Sequence, residues 1–420
     1  MNFYNLWFKN KFFWSKLILI EGYMKITELK THLYEFENNR VVGDANSPAG
    51  RKLQSSLLIE VETDEGITGY SSSGAAAKPL VESMFNRAVK GKDPANVKGI
   101  TKQMIDFAFK GGHGGMINEA ISSLDIALWD LKAKANNEPL WKTLGGLNPM
   151  ARAYASGLDI PMSNENLKKW YEKMASWGFD GGKLKVGLNQ DDDIKRIGIM
   201  RDALKVNSEN PLIMIDSNEY WSPKQAIRFI SEIEEIFDLT WAEEPARRWD
   251  FIGLKKVSDG IKTAVCAGEN LKTLGDFLPY FHHKSADVIQ VSSGIGGITT
   301  AMQLADAAYG FELPITLGGS FGHVHAHMAP SIPNFMIMEI TQEEPDPCMT
   351  WDVTFKNGYA IPGNKPGIGV EINRDVLENI KVEKTTPGTQ ASPFGRRPGA
   401  GLYQVAPSKE ERANSERLNK

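Results

Sequence analysis

One repeat constrains this chain more than any other feature: short apolar runs that each end in a polar group. Ile213-Met214-Ile215 leads into Asp216-Ser217-Asn218, Thr240-Trp241-Ala242 into Glu243-Glu244-Pro245, and Ala264-Val265-Cys266-Ala267 into Gly268-Glu269-Asn270. Lys183-Leu184-Lys185 opens the series. Runs of this length, bounded by polar or turn residues, read as buried parallel strands. The acidic groups stand 27 residues apart (216 to 243) and then 26 (243 to 269), which fits one strand, one helix and two loops. Polar residues at the C-terminal ends of successive strands read as catalytic in a (β/α) barrel, because that site is assembled from several strand ends. Three carboxylates converging there repel one another unless a cation lies between them. All-oxygen donors favour a hard ion such as Mg²⁺.

The alternation runs from Ala151 onward. Strands are expected at 152–156, 183–186, 212–215, 240–242, 263–266, 288–291, 315–317 and 335–339. Helices are expected at 165–176, 192–204, 223–236, 251–257, 274–280 and 299–308. Eight strands at this spacing favour a barrel over an open doubly wound sheet. No Gly-x-Gly-x-x-Gly follows the first strand, so a dinucleotide fold has little support. Residues 24–150 read as a separate α+β domain: strands at 26–37, 55–63 and 67–70, then helices over 78–145. Val41 to Lys52, with Gly43, Asp44, Asn46, Pro48 and Gly50, is a loop by composition, and is read either as a lid or as a plain surface loop. Residues 363–384 are expected to return to the first domain. Residues 385–420, rich in Pro, Gly, Ser, Arg and Glu, are expected to be disordered. Residues 1–23 read as an upstream extension, with a weak membrane-surface anchor as the competing reading. Their apolar run, Leu17 to Ile20, is shorter than the ~7–15 residues of a signal-peptide core or the ~20 of a membrane span.

The formal charge is −4 and no basic block stands out, so neither a nucleic-acid nor a membrane partner is expected. Two cysteines, Cys266 and Cys348, leave no disulfide framework, which suits a reducing cytoplasm. Cys266 falls inside an expected strand and reads as a core residue.

The barrel motifs, taken with Ala127-Leu128-Trp129-Asp130-Leu131 and Pro366-Gly367-Ile368-Gly369-Val370, are specific in combination. Over roughly residues 24–380 the chain resembles the enolase superfamily, in the subgroup of mandelate racemase, muconate lactonizing enzyme and the sugar-acid dehydratases. The resemblance implies a modified (β/α)₇β TIM-like barrel over 151–362, capped by the α+β domain. It implies Mg²⁺ held by Asp216, Glu243 and Glu269, and a homo-oligomer. It also implies that Lys185 is the base removing a proton α to a carboxylate. That removal places a second negative charge on the carboxylate oxygens, which a metal ion stabilises where it develops. The base must be neutral, and both Lys183 and the metal would disfavour its protonation. Residues i and i+2 of a strand face the same way, so Lys183 points with Lys185 and Asn218 with Asp216.

The pattern departs from the family at one place. Many members carry a His–Asp dyad, and counting from Gly296-Gly297 and from His327 puts its positions at Val291 and Gly319. Neither residue can serve. The acid expected on the last strand is present as Glu339. Racemisation needs an acid and a base on opposite faces of the α-carbon, whereas β-elimination runs with one residue on one face. His323 and His325 are candidates for a relocated acid, or else helix-start histidines bonded to backbone. The leading expectation is therefore Mg²⁺-dependent dehydration of an aldonate or aldarate to a 2-keto-3-deoxy acid. Cycloisomerisation of a sugar lactone or anhydro-sugar acid suits the missing dyad equally well. Epimerisation within the same superfamily and a purely binding barrel are the other readings. Asn218, Asn270, Ser320 and Arg247 are the candidate substrate contacts. Arg248, Trp249, Ser292, Ser293, Tyr23 and Tyr34 stand behind them.

Overall fold

The structure, a computed structural model, describes residues 23–318, 322–342, 344–389, 395–397 and 399–403. Three antiparallel strands, β1 (Ile26–Val42), β2 (Arg51–Thr63) and β3 (Thr68–Gly74), form the first sheet in that order. Asp64-Glu65-Gly66 makes the tight turn between β2 and β3, with Gly66 at φ +78° and Thr63 N–H donating to the Ile67 carbonyl over 3.1 Å. Helices α1 (Lys78–Met84), α2 (Val97–Phe107) and α3 (Gly115–Ala135) follow.

Asp130 explains the Trp129-Asp130 motif. Buried on α3, it accepts from Tyr70 N–H at 2.8 Å on the cap sheet and from Ile368 N–H at 2.7 Å on the returning chain. One carboxylate thus pins three segments distant in sequence. Arg374 adds a second tie, reaching Glu60 on β2 at 2.5 and 2.7 Å.

Eight further strands form the barrel: β4 (Ala151–Ser156), β5 (Gly181–Lys185), β6 (Leu212–Asp216), β7 (Leu239–Glu243), β8 (Ala264–Ala267), β9 (Val288–Val291), β10 (Ile315–Leu317) and β11 (Phe335–Ile340). Each pairs in parallel with the next, and β11 pairs in parallel with β4, which closes the ring. One helix lies between each successive pair of strands. The seventh, Gly322–Met328, lies where the histidines were read as standing at a helix start, although no bounds were expected for it. Its Gly-His-Val-His-Ala-His run lacks an apolar period long enough to announce a helix.

Two other expectations change. The first hairpin strands run longer than their apolar patterns, to Val42 and from Arg51, so the connecting loop narrows to 43–50. The tail expected to be disordered is in place wherever it is described. Thr386 donates to Glu35 through N–H at 2.7 Å, and residues 395–397 and 399–403 lie against the barrel mouth. Polar composition missed this, because the tail is held by hydrogen bonds and not by a core of its own. Residues 1–22 and 404–420 lie outside the described residues. Among the described residues no helix is long and apolar enough to cross a membrane.

Candidate active site

Strand periodicity builds the site. Tyr154, Met214, Trp241, Cys266, Val288 and Ile337 form one buried apolar layer inside the barrel, with Tyr154 and Trp241 edge to face at 5.3 Å. Two residues further along, the same strands present Ser156, Asp216, Glu243, Gln290 and Glu339, all buried. The barrel therefore changes from apolar floor to polar site in a single step. β8 breaks the pattern, because Gly268 stands where the next inward residue belongs. A Cβ there would lie 2.3 Å from the Gln290 carbonyl oxygen, and φ is +141°, so only glycine fits and the acid arrives one place later, as Glu269.

Lys183 and Lys185 stand among these acids. Lys183 Nζ pairs with Glu243, lies 2.8 Å from Glu339 Oε1 and 3.6 Å from Asp216 Oδ2. Lys185 Nζ pairs with Asp216. The backbone on either side is fixed by buried groups: Tyr171 O–H donates to the Lys183 carbonyl at 2.7 Å, and Lys185 N–H donates to Asp159 at 3.2 Å. The turns after the strands are strained. Asn218, Glu219 and Glu244 all have positive φ, at +46°, +59° and +43°. Non-glycine residues held this way cluster at functional sites.

Burial alone would lower both ammonium groups, but the acids outweigh it. Glu243 and Glu339 hold Lys183 well above the ordinary lysine value, and Asp216 raises Lys185. Burial likewise raises the carboxyls, and here the outcome differs from group to group. Lys183 and Lys185 carry Glu339 down to about 2, and Lys185 and Lys183 lower Asp216. Burial with repulsion from Asp216 wins at Glu243, pushed up to about 8, and at Glu269. Glu244 is driven well above the carboxylate range by burial and by Glu269 and Glu219. The site thus holds more buried negative charge than two lysines neutralise.

Several sequence expectations change here. Lys185 pairs with Asp216, whose carboxylate raises the lysine more than Lys183 lowers it. Glu339, the acid expected on the last strand, pairs with Lys183, which holds its carboxyl low. Asp216 and Glu243 turn to the lysines, so among the described residues no three acidic, histidine or cysteine side chains are arranged to hold a metal. The donor set still fits a hard cation: two buried carboxylates, Asp216 and Glu243, and the half-buried Glu269, with burial and repulsion from Asp216 raising the pKa values of both glutamates. Their oxygens are what Mg²⁺ prefers.

His325 does not stand as an acid. Its Nε2 accepts from Ser293 N–H at 3.0 Å, which requires an unprotonated nitrogen, and burial pulls the ring down to about 4. His327 Nδ1 accepts from Trp141 N–H at 3.3 Å and is also held at about 4. His323 stacks on Trp351 at 5.3 Å and is held at about 3 by burial, with His327 and His325 adding to the effect. Asn218 N–H donates to Asp216 Oδ1 at 2.7 Å, while its own buried Oδ1 has no partner among the described residues. Asn270 is turned to Glu244, 2.9 Å from each oxygen, and Arg247 to the Ala400 carbonyl at 2.8 Å. Tyr34 is buried in the cap, donating to Asp346 at 2.5 Å, and so is no substrate contact. Ser320 and Gly319 lie outside the described residues.

Four buried residues were not anticipated: Asp44, Glu219, Glu244 and Gln290. Glu244 had a signal in the paired acids of Glu243-Glu244. Asp44 sits on the loop 43–50, which is folded down: Gly43 N–H donates to the Leu158 carbonyl at 2.9 Å, and Asn46 Nδ2 to the Asn218 carbonyl at 2.9 Å. Of the two readings of that loop, the lid is the one this geometry favours.

Comparison with known proteins matches residues 166–376 to the family described as enolase C-terminal domain-like. Residues 45–145 match the mandelate racemase/muconate lactonizing enzyme N-terminal domain. The chain is 29% identical over 337 residues to a 3,6-anhydro-α-L-galactonate cycloisomerase of Streptomyces coelicolor, covering 78% of this chain and 91% of that protein. It is similar to the crystal structure of a racemase from Streptomyces coelicolor with bound magnesium, with TM-score 0.78 and 28% identity, over 85% of this chain and all of that one. It is also similar to L-talarate/galactarate dehydratase from Salmonella typhimurium LT2 liganded with Mg and L-lyxarohydroxamate. There the TM-score is 0.79 and the identity 25%, over 87% and 95% of the two chains.

Proposed function

The chain belongs to the mandelate racemase/muconate lactonizing enzyme group of the enolase superfamily, and from that premise we propose that it catalyses β-elimination from an acid sugar, with Lys185 as the base. Dehydration of an aldonate or aldarate to a 2-keto-3-deoxy acid is the leading form. The observation that carries this reading is the one-sidedness of the site: a lysine pair on β5, and no charged side chain on β9 or β10.

Asp216, Glu243 and Glu269 would hold Mg²⁺. Bound there, the ion would supply positive charge for the developing enediolate. Lys185, at the C-terminal end of β5, takes the α-proton. It then returns the proton to the β-hydroxyl on the same face, so that water leaves and the enol becomes a ketone. Lys183 stays charged between Glu243 and Glu339 and faces the substrate carboxylate. The loop 43–50 excludes water from the enediolate.

The similarity to an anhydro-galactonate cycloisomerase supports a second form of the same step, in which the leaving group is a ring oxygen of the substrate. One experiment separates them. Purified protein with Mg²⁺ is offered open-chain acid sugars and, separately, lactones and anhydro-sugar acids, and 2-keto product is trapped with semicarbazide. Product from the open-chain set, absent with Lys185→Ala, supports dehydration. Product from the ring set alone supports cycloisomerisation. No product from either rejects the proposal.

A further inference from the structure

The C-terminal residues 395–397 and 399–403 lie beyond the family match, which ends at residue 376. They nevertheless contact the turn after β6, the segment after β7 and the cap loop 43–50. Arg396 Nη1 meets Glu219 Oε2 at 3.1 Å, and its Nη2 donates to the Glu219 carbonyl at 2.8 Å. Gly401 N–H donates to the Tyr220 carbonyl at 2.7 Å. Arg397 N–H donates to Asn46 Oδ1 at 3.2 Å, and Asn46 passes the link to the Asn218 carbonyl. Arg247 and Arg396 flank Trp249, at 5.2 and 5.8 Å, and close on the Ala400 carbonyl. A side chain at residue 401 would lie 2.4 Å from both guanidinium groups, and its φ is +74°, so glycine permits this packing.

These contacts converge on the strained turn that follows Asp216. Glu219 is buried with positive φ, and its carboxylate takes Arg248 on one side and Arg396 on the other. Charge-assisted bonds of this kind are the strong ones. We propose that this segment is a strap and that Arg396 is a positioning residue: it holds the 217–220 turn, and through Asn46 the loop 43–50, in the closed arrangement over the site. The inference rests on the barrel mouth being the reaction site, whatever the leaving group.

The test is hydrogen exchange on the full chain with Mg²⁺ and no substrate, comparing Arg396→Ala, Arg396→Lys and a chain ending at Lys384. With alanine and with the shortened chain, exchange in 43–50 and 216–220 rises about tenfold, the loss of roughly one strong hydrogen bond. Helix Asn164–Ser176, on the outside of the barrel, keeps its protection, and lysine restores part of the loss. Unchanged protection of both segments overturns the strap, as does an equal rise at 164–176, which would mean general loosening. Because no substrate is used, a result here stands apart from the screen for elimination. For whichever acid sugar that screen identifies, Arg396→Ala raises KM about tenfold and changes kcat less than threefold. An equal fall in kcat with KM unmoved overturns the positioning role.

Discussion

Strands β5 to β8 and strands β9 and β10 follow one backbone plan, yet they fill the barrel mouth with opposite chemistry. The first group ends in Lys183, Lys185, Asp216 and Glu243, with Glu269 just beyond. The second ends in Gln290-Val291 and Thr316-Leu317, all buried and all uncharged. Even the histidine nearest that side, His325, is committed to a backbone N–H. The difference teaches that the barrel supplies positions and that the inward residue of each strand decides the chemistry. On the proposed reading the first half binds a carboxylate and moves a proton on a single face, which suits elimination and disfavours inversion, while strands β9 and β10 carry no charged side chain of their own.

The sharpest way to break this comparison is to exchange the weight of the two halves. Lys185→Ala is expected to lower kcat by at least roughly a thousandfold, as loss of a general base does. His325→Gln is expected to change it by less than about tenfold, since that ring touches backbone and not substrate. Steady-state rates on the identified acid sugar check both, and a larger loss for His325→Gln would move the catalytic acid to the quiet half. Next in size, Glu243→Gln is expected to weaken Mg²⁺ binding about a hundredfold, measured by calorimetry. The same change leaves Lys183 with Glu339 and, at 3.6 Å, Asp216. Unaltered affinity would remove Glu243 from the ligand set.

Placing a carboxylate on the quiet half sharpens the comparison from the other side. Val291→Asp buries an acid with no cation beside it, and is expected to cost about 3 kcal/mol by denaturant melts without adding epimerase activity. The smallest effect is a pH dependence. His325 and His327 are held by burial at about 4, below the ordinary 6.5, so the fold keeps them neutral while the unfolded chain binds protons. Their contribution is complete above 6.5 and is lost as pH falls toward about 4. At pH 5 each is expected to cost roughly 2 kcal/mol, and His325→Gln should flatten the acid limb of thermal melts.

Much of this was legible in the sequence because strand period and strand spacing are local. Asp216, Glu243 and Glu339 each close a short apolar run, and the lysine pair opens the series at alternate positions of one strand, so these residues could be picked out by counting. What escaped was set by contacts between distant segments. Asp44 and Asn46 become part of the mouth only when the loop 43–50 folds onto Leu158 and Asn218. Arg396 reaches Glu219 across 177 positions. The pairing of Lys185 also escaped, because it depends on which neighbour lies nearest. Sequence order favoured Lys183, and the fold favoured Asp216.

The central claim is that one lysine moves one proton on one face. It is tested most directly by running the reaction with Mg²⁺ in D₂O to partial conversion and examining both recovered substrate and product by NMR, for the parent chain and for Lys185→Ala. The account predicts a 2-keto-3-deoxy product, no C2 epimer in the recovered substrate, and loss of all conversion in the variant. A C2 epimer carrying deuterium, or product formation that survives without Lys185, would contradict it.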